Sequence, residues 1–312
     1  MIKPSVDIVV ATYRREPMVR KLVSSLIPVL REQDFLIVVN QGDTPLELEE
    51  NFRLRVINVP FSNLPSARNR GILSGSGDIV LFLDDDVIPD KLLVEKHREA
   101  YRDEKIGAVA GFVDDPLFSS DQTVPSRFDP ATGELIQNFS VSASQFSLSV
   151  MGANMSFSRS VLEKVGFFDA HFSGNALWEE VDLAFRIRAS GYKIWYDSEA
   201  KVVHLREQTG GCRSSSGSIY LYHQFANTSY FLCKHTPFRF GKRLIVFWWH
   251  RLEYFSRTNG KGVLKHRPFF VLAGMCGWLS GIVRYCVVKL RSPLKAGQSV
   301  LPVSHQEQMS CG

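Results

Sequence analysis

Cysteine is sparse in this chain of 312 residues, and its five copies (Cys212, Cys233, Cys276, Cys286 and Cys311) fall in no CxxC or other metal-ligand spacing. An odd, scattered set argues against a disulfide scaffold and suits a reducing compartment. The chain does not open with a charged start, an apolar core and a small-residue cleavage site. The expected location is therefore the cytoplasm. No GxxxxGK[ST] run occurs, which excludes a P-loop. Gly75-Ser76-Gly77 leads into Val80 and a strand, where a dinucleotide fingerprint needs a third glycine and a helix. Long apolar runs are missing too. The uncharged stretch Pro268–Val283 has 16 residues, diluted by three Gly and a Ser, against about 20 for a spanning helix.

What is present is an ordinary globular composition, 45% apolar and 22% charged, which excludes fibrous and largely disordered readings. The length suits one large domain with an appendage, or two modest domains. The net charge of +5 hides a sharp division. Between Lys234 and Lys295 there are 13 Lys/Arg and one acid, Glu253, so this segment carries +12 and the rest of the chain −7. An acidic body is joined to a basic, aromatic-rich end.

Short apolar runs alternate with helix-period stretches along the first third. Val6–Ala11, Phe35–Val39, Leu54–Val59, Ile79–Leu83 and Gly107–Gly111 read as strands. Pro17 and Pro65 sit where helices start, and Asp90 is expected to cap a helix over Lys91–Tyr101. This alternation predicts an α/β fold with a mostly parallel sheet flanked by helices. Residues 112–147, rich in Asp, Pro, Ser and Thr without periodicity, read as an insertion or mobile loop near a site. Further strands are expected at Met151–Phe157, Lys193–Tyr196 and Lys201–Val203. Helices are expected near Arg159–Val165 and Glu179–Ala189, the latter closed by Gly191. After Ser214-Ser215-Ser216-Gly217 the chain reads as helical at about 220–234, 241–256 and 263–290, with a disordered end over 296–312.

Ligands of open parallel sheets gather at the carboxyl ends of the strands. Asp84-Asp85-Asp86 stands at such an end. Three adjacent carboxylates repel one another, so the run points either to a nearby cation or to a solvated turn. Asp90 already serves as a cap, which favours the cation. Hard oxygen ligands suit Mg²⁺ or Mn²⁺ bridging to a phosphate.

Several segments together resemble family 2 glycosyltransferases: Val9-Val10-Ala11-Thr12-Tyr13-Arg14-Arg15, Ser66-Ala67-Arg68-Asn69-Arg70-Gly71 and Leu83-Asp84-Asp85-Asp86, then Gly152–Phe157 and Val165–Asp169, and finally Trp178-Glu179-Glu180-Val181-Asp182-Leu183 with Arg186, Gly191-Tyr192 and His204. The resemblance covers about residues 5–210, in the family's order. It implies a GT-A fold, a nucleotide-diphosphate sugar donor and inverting, metal-assisted transfer to a saccharide or lipid-linked saccharide. Thr12, Tyr13 and Asn40 would line the nucleoside pocket, Arg68 would reach the donor, and Asp84 and Asp85 would face the nucleotide. Asp86 with Asp84 would hold the metal, and His204 would be a further ligand. Asn40 stands where the family usually has Asp, and Glu179-Glu180 where it usually has Glu-Asp, so the base maps onto Glu180 beside Glu179. Asp182 is read as an ion-pair partner of Arg186, four residues on. Trp178 reads either as a stacking face for a sugar or as core. Arg206 and Arg213 would close over the diphosphate or belong to an exposed linker. On this basis residues 1–215 form the catalytic domain, with a nucleotide-sugar half over about 1–111 and an acceptor half over about 148–210.

Residues 216–295 form a basic helical C-terminal region. Phe247, Trp248, Trp249, Tyr254 and Phe255 lie among Lys242, Arg243 and Arg251. This pattern fits helices lying on the anionic cytoplasmic face of a membrane, or a hairpin packed on the catalytic domain with a solvated basic face. No nucleic-acid-binding module is recognisable, so no nucleic-acid partner is expected. Two alternative functions remain: a sugar-1-phosphate nucleotidyltransferase, which lacks the glycines it needs after the first strand, and a catalytically inactive membrane-docked binding protein.

Overall fold

The computed structural model describes residues 3–42, 44–49, 51–118, 123–129, 134–207, 209–211, 217–235 and 267–291. The expected helix over 241–256, Arg213 and the end over 296–312 lie outside the described residues.

The first half alternates β1 (Val6–Tyr13), α1 (Glu16–Leu26), β2 (Phe35–Gln41), β3 (Leu54–Val59), α2 (Leu64–Leu73), β4 (Ile79–Asp84), β5 (Val87–Pro89), α3 (Leu93–Ala100) and β6 (Ile106–Asp114). The second half adds β7 (Ser126–Asp129), β8 (Glu134–Gln137), β9 (Gln145–Ser147), β10 (Asn154–Ser158), α4 (Arg159–Val165), α5 (Glu179–Ala189) and β11 (Lys193–His204). It closes with α6 (Ser218–His235) and α7 (Arg267–Arg291). The main sheet has nine strands in the order β3-β2-β1-β4-β10-β6-β11-β5, with β9 also on β11. β1, β2, β3 and β4 are mutually parallel, and β6 is parallel to β11. β10 runs antiparallel between β4 and β6.

The apolar runs explain this topology. β1, β2 and β4 are buried almost from end to end, as strands covered on both faces must be. α2 starts where Asn63 accepts a hydrogen bond from the Ser66 N–H at 2.9 Å, with Pro65 in its first turn. These local choices direct the carboxyl ends of β1, β2, β4 and β11 to one edge, bringing Thr12, Asn40, Asp84 and His204 together.

The structure changes three expectations. Asp90 does not cap a helix at Lys91. Its carboxylate accepts from the Leu92 N–H at 2.8 Å and the helix begins at Leu93. The strands expected at Lys193 and Lys201 are one strand, β11, interrupted by an irregularity between Asp197 and Lys201. Residues 112–147 are not a plain loop, since they contribute the β7–β8 hairpin and β9.

α6 and α7 pack on each other and on the segment around Phe172–Val181. Cβ atoms placed on Gly277 and Gly281 of α7 would collide with the α6 backbone at Tyr222 and Ala226, so glycine is what allows the two backbones to touch. A second apolar cluster joins Phe172, Trp178 and Val181 to Tyr230, Phe231 and Leu232 of α6.

Candidate active site

Asp84 ends β4 half-exposed, while Asp85 and Asp86 in the turn are buried. Asp84, Asp86 and His204 each present one ligand atom, and these atoms all lie within 4.8 Å of one another. Two carboxylate oxygens and an imidazole nitrogen form a donor set that suits a hard to borderline divalent cation. The histidine is held from behind. Its Nδ1 bonds Asp115 Oδ2 at 2.8 Å, while Nε2 faces Asp86 Oδ1 at 3.3 Å. This is the carboxylate–histidine arrangement that fixes a ligand's tautomer and direction. Burial works against the charged ring, but Asp86, Asp84 and Asp115 outweigh it and hold the pKa of His204 above the usual histidine value. Asp115 is also buried, yet Arg206 at 2.5 Å, the Leu117 N–H and His204 keep its carboxyl below the usual range.

Asp85 is buried against the end of β1. Its carboxylate accepts from Thr12 Oγ1 at 2.7 Å and from Arg15 Nη1 at 2.8 Å, and burial still pushes its pKa up to about 6. Arg15 is the hub that the sequence reading left without a role. The same guanidinium lies 3.3 Å from Asp86 and donates to the carbonyls of Glu207 and Thr209 at 2.7 and 2.6 Å. The Glu207 N–H in turn donates to Asp86 Oδ2 at 2.9 Å. The segment after β11 is thereby tied over the acidic run. Arg206 belongs to this segment, bonded to Asp115, whereas the position of Arg213 lies outside the described residues.

At the neighbouring strand ends, Tyr13 is half-buried at the end of β1 and Asn40 is buried at the end of β2. Asn40 donates both amide hydrogens inward, to Asn58 Oδ1 and the Thr44 carbonyl. Arg68 is 3% exposed and spans the two halves. It pairs with Glu179 and lies 3.3 Å from both Asp84 and the Gly152 carbonyl. It therefore connects the β4 terminus to the first residue of α5.

Glu180 follows on α5, half-buried. Desolvation pushes its carboxyl pKa up, Arg68 pulls it down, and Asp84 adds to the rise. Asp182 is fully buried and held well below the usual carboxylate range despite that burial. It bonds His235 at 2.8 Å, Arg186 at 2.9 Å and Lys234 at 2.7 Å. The expected pairing with Arg186 is present, and the sequence reading missed the two partners from α6. Trp178 is a core residue. It is 4% exposed, stacked on Phe231 at 4.7 Å, and its indole N–H donates to Thr228 Oγ1 at 2.8 Å.

Among the described residues, four non-glycine residues have positive φ: Arg14, Ala176, Trp178 and Arg206. All four border this region, after β1, before α5 and after β11. Backbone of this kind persists only where its surroundings over-determine it, and it clusters at functional sites. α6 supplies the restraint before α5. Asn227 accepts from the Ser173 N–H and donates to the Ser173 carbonyl and Asn175, and Arg284 of α7 donates to the His171 carbonyl. Asn175 Nδ2, His223 Nδ1 and Gln224 Oε1, around the same loop, are buried without a partner.

This combination of a mostly parallel sheet with one antiparallel insert and an acidic turn at the carboxyl edge defines a GT-A glycosyltransferase fold. Residues 7–166 match the sequence model of Glycosyl transferase family 2, and the chain belongs to that family. It is 27% identical over 214 residues to the probable glycosyltransferase YdaM of Bacillus subtilis (strain 168), covering 61% of this chain and 48% of that one. It is also 27% identical over 232 residues to the O-antigen biosynthesis protein RfbC of Myxococcus xanthus, covering 64% of this chain and 17% of that one. The chain thus spans about half, or less, of the length of these relatives.

Solved structures share the fold at low identity. A mannosyltransferase from Pyrobaculum calidifontis, in complex with GDP-Man and Mn²⁺, has a TM-score of 0.55 at 16% identity, covering 94% of this chain and 77% of that one. GalNAc-T7 with UDP, GalNAc and Mn²⁺ gives 0.62 at 13%, covering 93% and 58%. S. aureus TarS residues 1–349 with UDP-GlcNAc give 0.54 at 15%, covering 92% and 90%.

Proposed function

We propose that the chain transfers a sugar, with inversion, from a nucleotide-diphosphate donor to a hydroxyl of a saccharide or lipid-linked saccharide acceptor, as in assembly of a cell-surface polysaccharide. The observation that carries this reading is the Asp84–Asp86–His204 cluster on the same edge as Glu180, in a chain of this family. The GDP-Man and Mn²⁺ bound by the Pyrobaculum mannosyltransferase and the UDP-GlcNAc bound by TarS support the donor class.

Asp84, Asp86 and His204 would hold a divalent cation, with Asp115 fixing the imidazole. When bound, such a cation neutralises charge growing on the leaving diphosphate. Glu180 takes the proton from the acceptor hydroxyl as the new oxygen–carbon bond forms and the bond to the diphosphate breaks, the bonding pair leaving with the phosphate oxygen. A raised carboxyl pKa makes Glu180 the stronger base near neutral pH. Arg68 holds Glu179, the residue before the base, and so orients the start of α5 relative to Asp84. Thr12, Tyr13 and Asn40 border the nucleoside. Asn175, His223 and Gln224 offer unpartnered polar atoms of the kind that hydroxyl-rich ligands satisfy. The basic C-terminal region would meet an anionic membrane surface, placing a lipid-linked acceptor beside the acceptor half; no described helix is long and apolar enough to cross a membrane.

Calorimetry with UDP-, GDP- and dTDP-sugars in the presence of Mn²⁺ tests the donor. Saturable binding of one nucleotide class, lost in Asp86→Ala, is expected. If no donor binds, the chain is a binding protein without transferase chemistry. If a nucleotide sugar is consumed only when pyrophosphate is added, yielding nucleoside triphosphate and sugar 1-phosphate, the nucleotidyltransferase reading holds.

A further inference from the structure

α7 has two faces of opposite character. Its inner face carries Gly274, Gly277 and Gly281 against α6. The outer face carries Leu272, Cys276, Leu279, Val283, Cys286 and Leu290, all exposed, with Leu279 and Val283 at 60% and Leu290 at 86%. These positions are spaced four and three residues apart in turn. At about 100° per residue they fall within roughly 40° of one line for about 27 Å. Met275 and Val287 widen the stripe and are also exposed. Lys289 and Arg291 lie exposed on its two flanks, about 100° to either side.

We propose that α7 lies flat in the interface of an anionic bilayer, with the Leu272–Leu290 stripe turned into the lipid and Lys289 and Arg291 at the headgroups. The reading rests on the membrane association suggested above for residues 234–295, and adds the face that makes it. An apolar stripe flanked by basic residues is what interfacial helices present to anionic lipid. The surrounding segment from Lys234 to Lys295, with 13 basic residues and one acid, supplies the same sign of charge. A second copy fits less well, because α7 contains no acid to pair with Lys289 and Arg291 across a homotypic seam. The inner face gives the docking a consequence. Arg284 donates to the His171 carbonyl at 2.7 Å and to Asn227 at 3.1 Å, so the helix on the lipid also holds the loop leading into Glu179 and Glu180.

The test is flotation of the full chain with phosphatidylcholine vesicles containing about 30 mol% phosphatidylglycerol, a strongly anionic surface, and with phosphatidylcholine alone. The wild type is expected to float with the anionic vesicles and far less with the neutral ones. Leu279→Asp and Leu290→Asp are each expected to lower partitioning by at least about tenfold, equivalent to about 1.4 kcal/mol. Phe52→Asp, at an exposed site remote from α7, is expected to leave it unchanged. Circular dichroism confirms that each variant is folded, and Leu290→Asp, near the end of α7, preserves the test if Leu279→Asp is not. A wild type that stays unbound would overturn the proposal. So would variants that float normally, which would assign anchoring to another segment, or a wild-type dimer that Leu279→Asp converts to monomer, which would assign the stripe to a second copy. Calorimetry with donor and Mn²⁺ on the same preparations separates the readings. Lost flotation with intact donor binding refers to this surface, and lost donor binding with intact flotation refers to the transferase reading.

Discussion

Replacing Arg68 by Met removes the cation shared by Glu179 and Asp84. Arg68 is 3% exposed and Glu179 is 1% exposed, so the orphaned carboxylate has almost no water to turn to. Breaking one side of a buried ion pair costs about 3–5 kcal/mol, because an uncompensated charge stays inside. At about 1.5–2 °C per kcal/mol for a chain of 312 residues, Arg68→Met should lower Tm by roughly 5–10 °C at neutral pH. Glu179→Gln in the same chain removes the stranded charge, so the double variant should recover most of that loss. Urea denaturation of wild type, both single variants and the double variant measures the coupling. Additive effects of the two substitutions, with no recovery in the double variant, would refute the reasoning: Glu179 and Arg68 would then not depend on each other.

Three further outcomes are expected. His97 is fully buried between Asn154 and Ser156, and burial lowers its pKa to about 4 from the usual 6.5. Because the folded protein resists protonation there, stability present at neutral pH is lost as the pH falls from about 6.5 to about 4, by about 3 kcal/mol in all; His97→Gln should remove that part of the slope in urea titrations run across the range. Asp115→Asn should weaken Mn²⁺ binding by about 10–100-fold through the loosened His204 ring, read by calorimetry with the metal alone. Asn227→Ala should lower nucleotide release from a donor more than it lowers donor affinity, since the loop it clamps leads to Glu180 and not to the nucleoside edge; equal losses in both would mean a general structural role.

The sheet was legible because its strands are short apolar runs bounded by turns, and Leu54–Val59, Arg159–Val165 and Glu179–Ala189 have the bounds their sequence suggested. The Asp84–Asp86 run was legible for a related reason, since three adjacent acids at a strand end conflict with the apolar pattern before them. Asp115 was not, because it lies in a stretch with no periodicity and meets His204 and Arg206 about ninety positions away. Arg15 lay in plain view beside Thr12 and Tyr13, but its partners Glu207 and Thr209 are almost two hundred residues downstream. Of the alternatives for Trp178, the structure shows core, its indole bonded to Thr228 and stacked on Phe231 of α6. Asp182 likewise gained Lys234 and His235 only once α6 was folded back. Short-range pattern thus located the carboxylates, and long-range packing determined which of them turn inward.

The central claim is that one edge of the sheet holds both the metal-binding acids and the base that activates the acceptor. It is tested most directly by measuring nucleotide release from the donor that binds, with Mn²⁺ and with the metal chelated, in wild type, Asp86→Ala and Glu180→Gln. The account predicts metal-dependent release in wild type, loss of both donor binding and release in Asp86→Ala, and retained donor binding with release reduced by about a hundredfold or more in Glu180→Gln. Release in Glu180→Gln equal to wild type, or wild-type release indifferent to chelation, would contradict it.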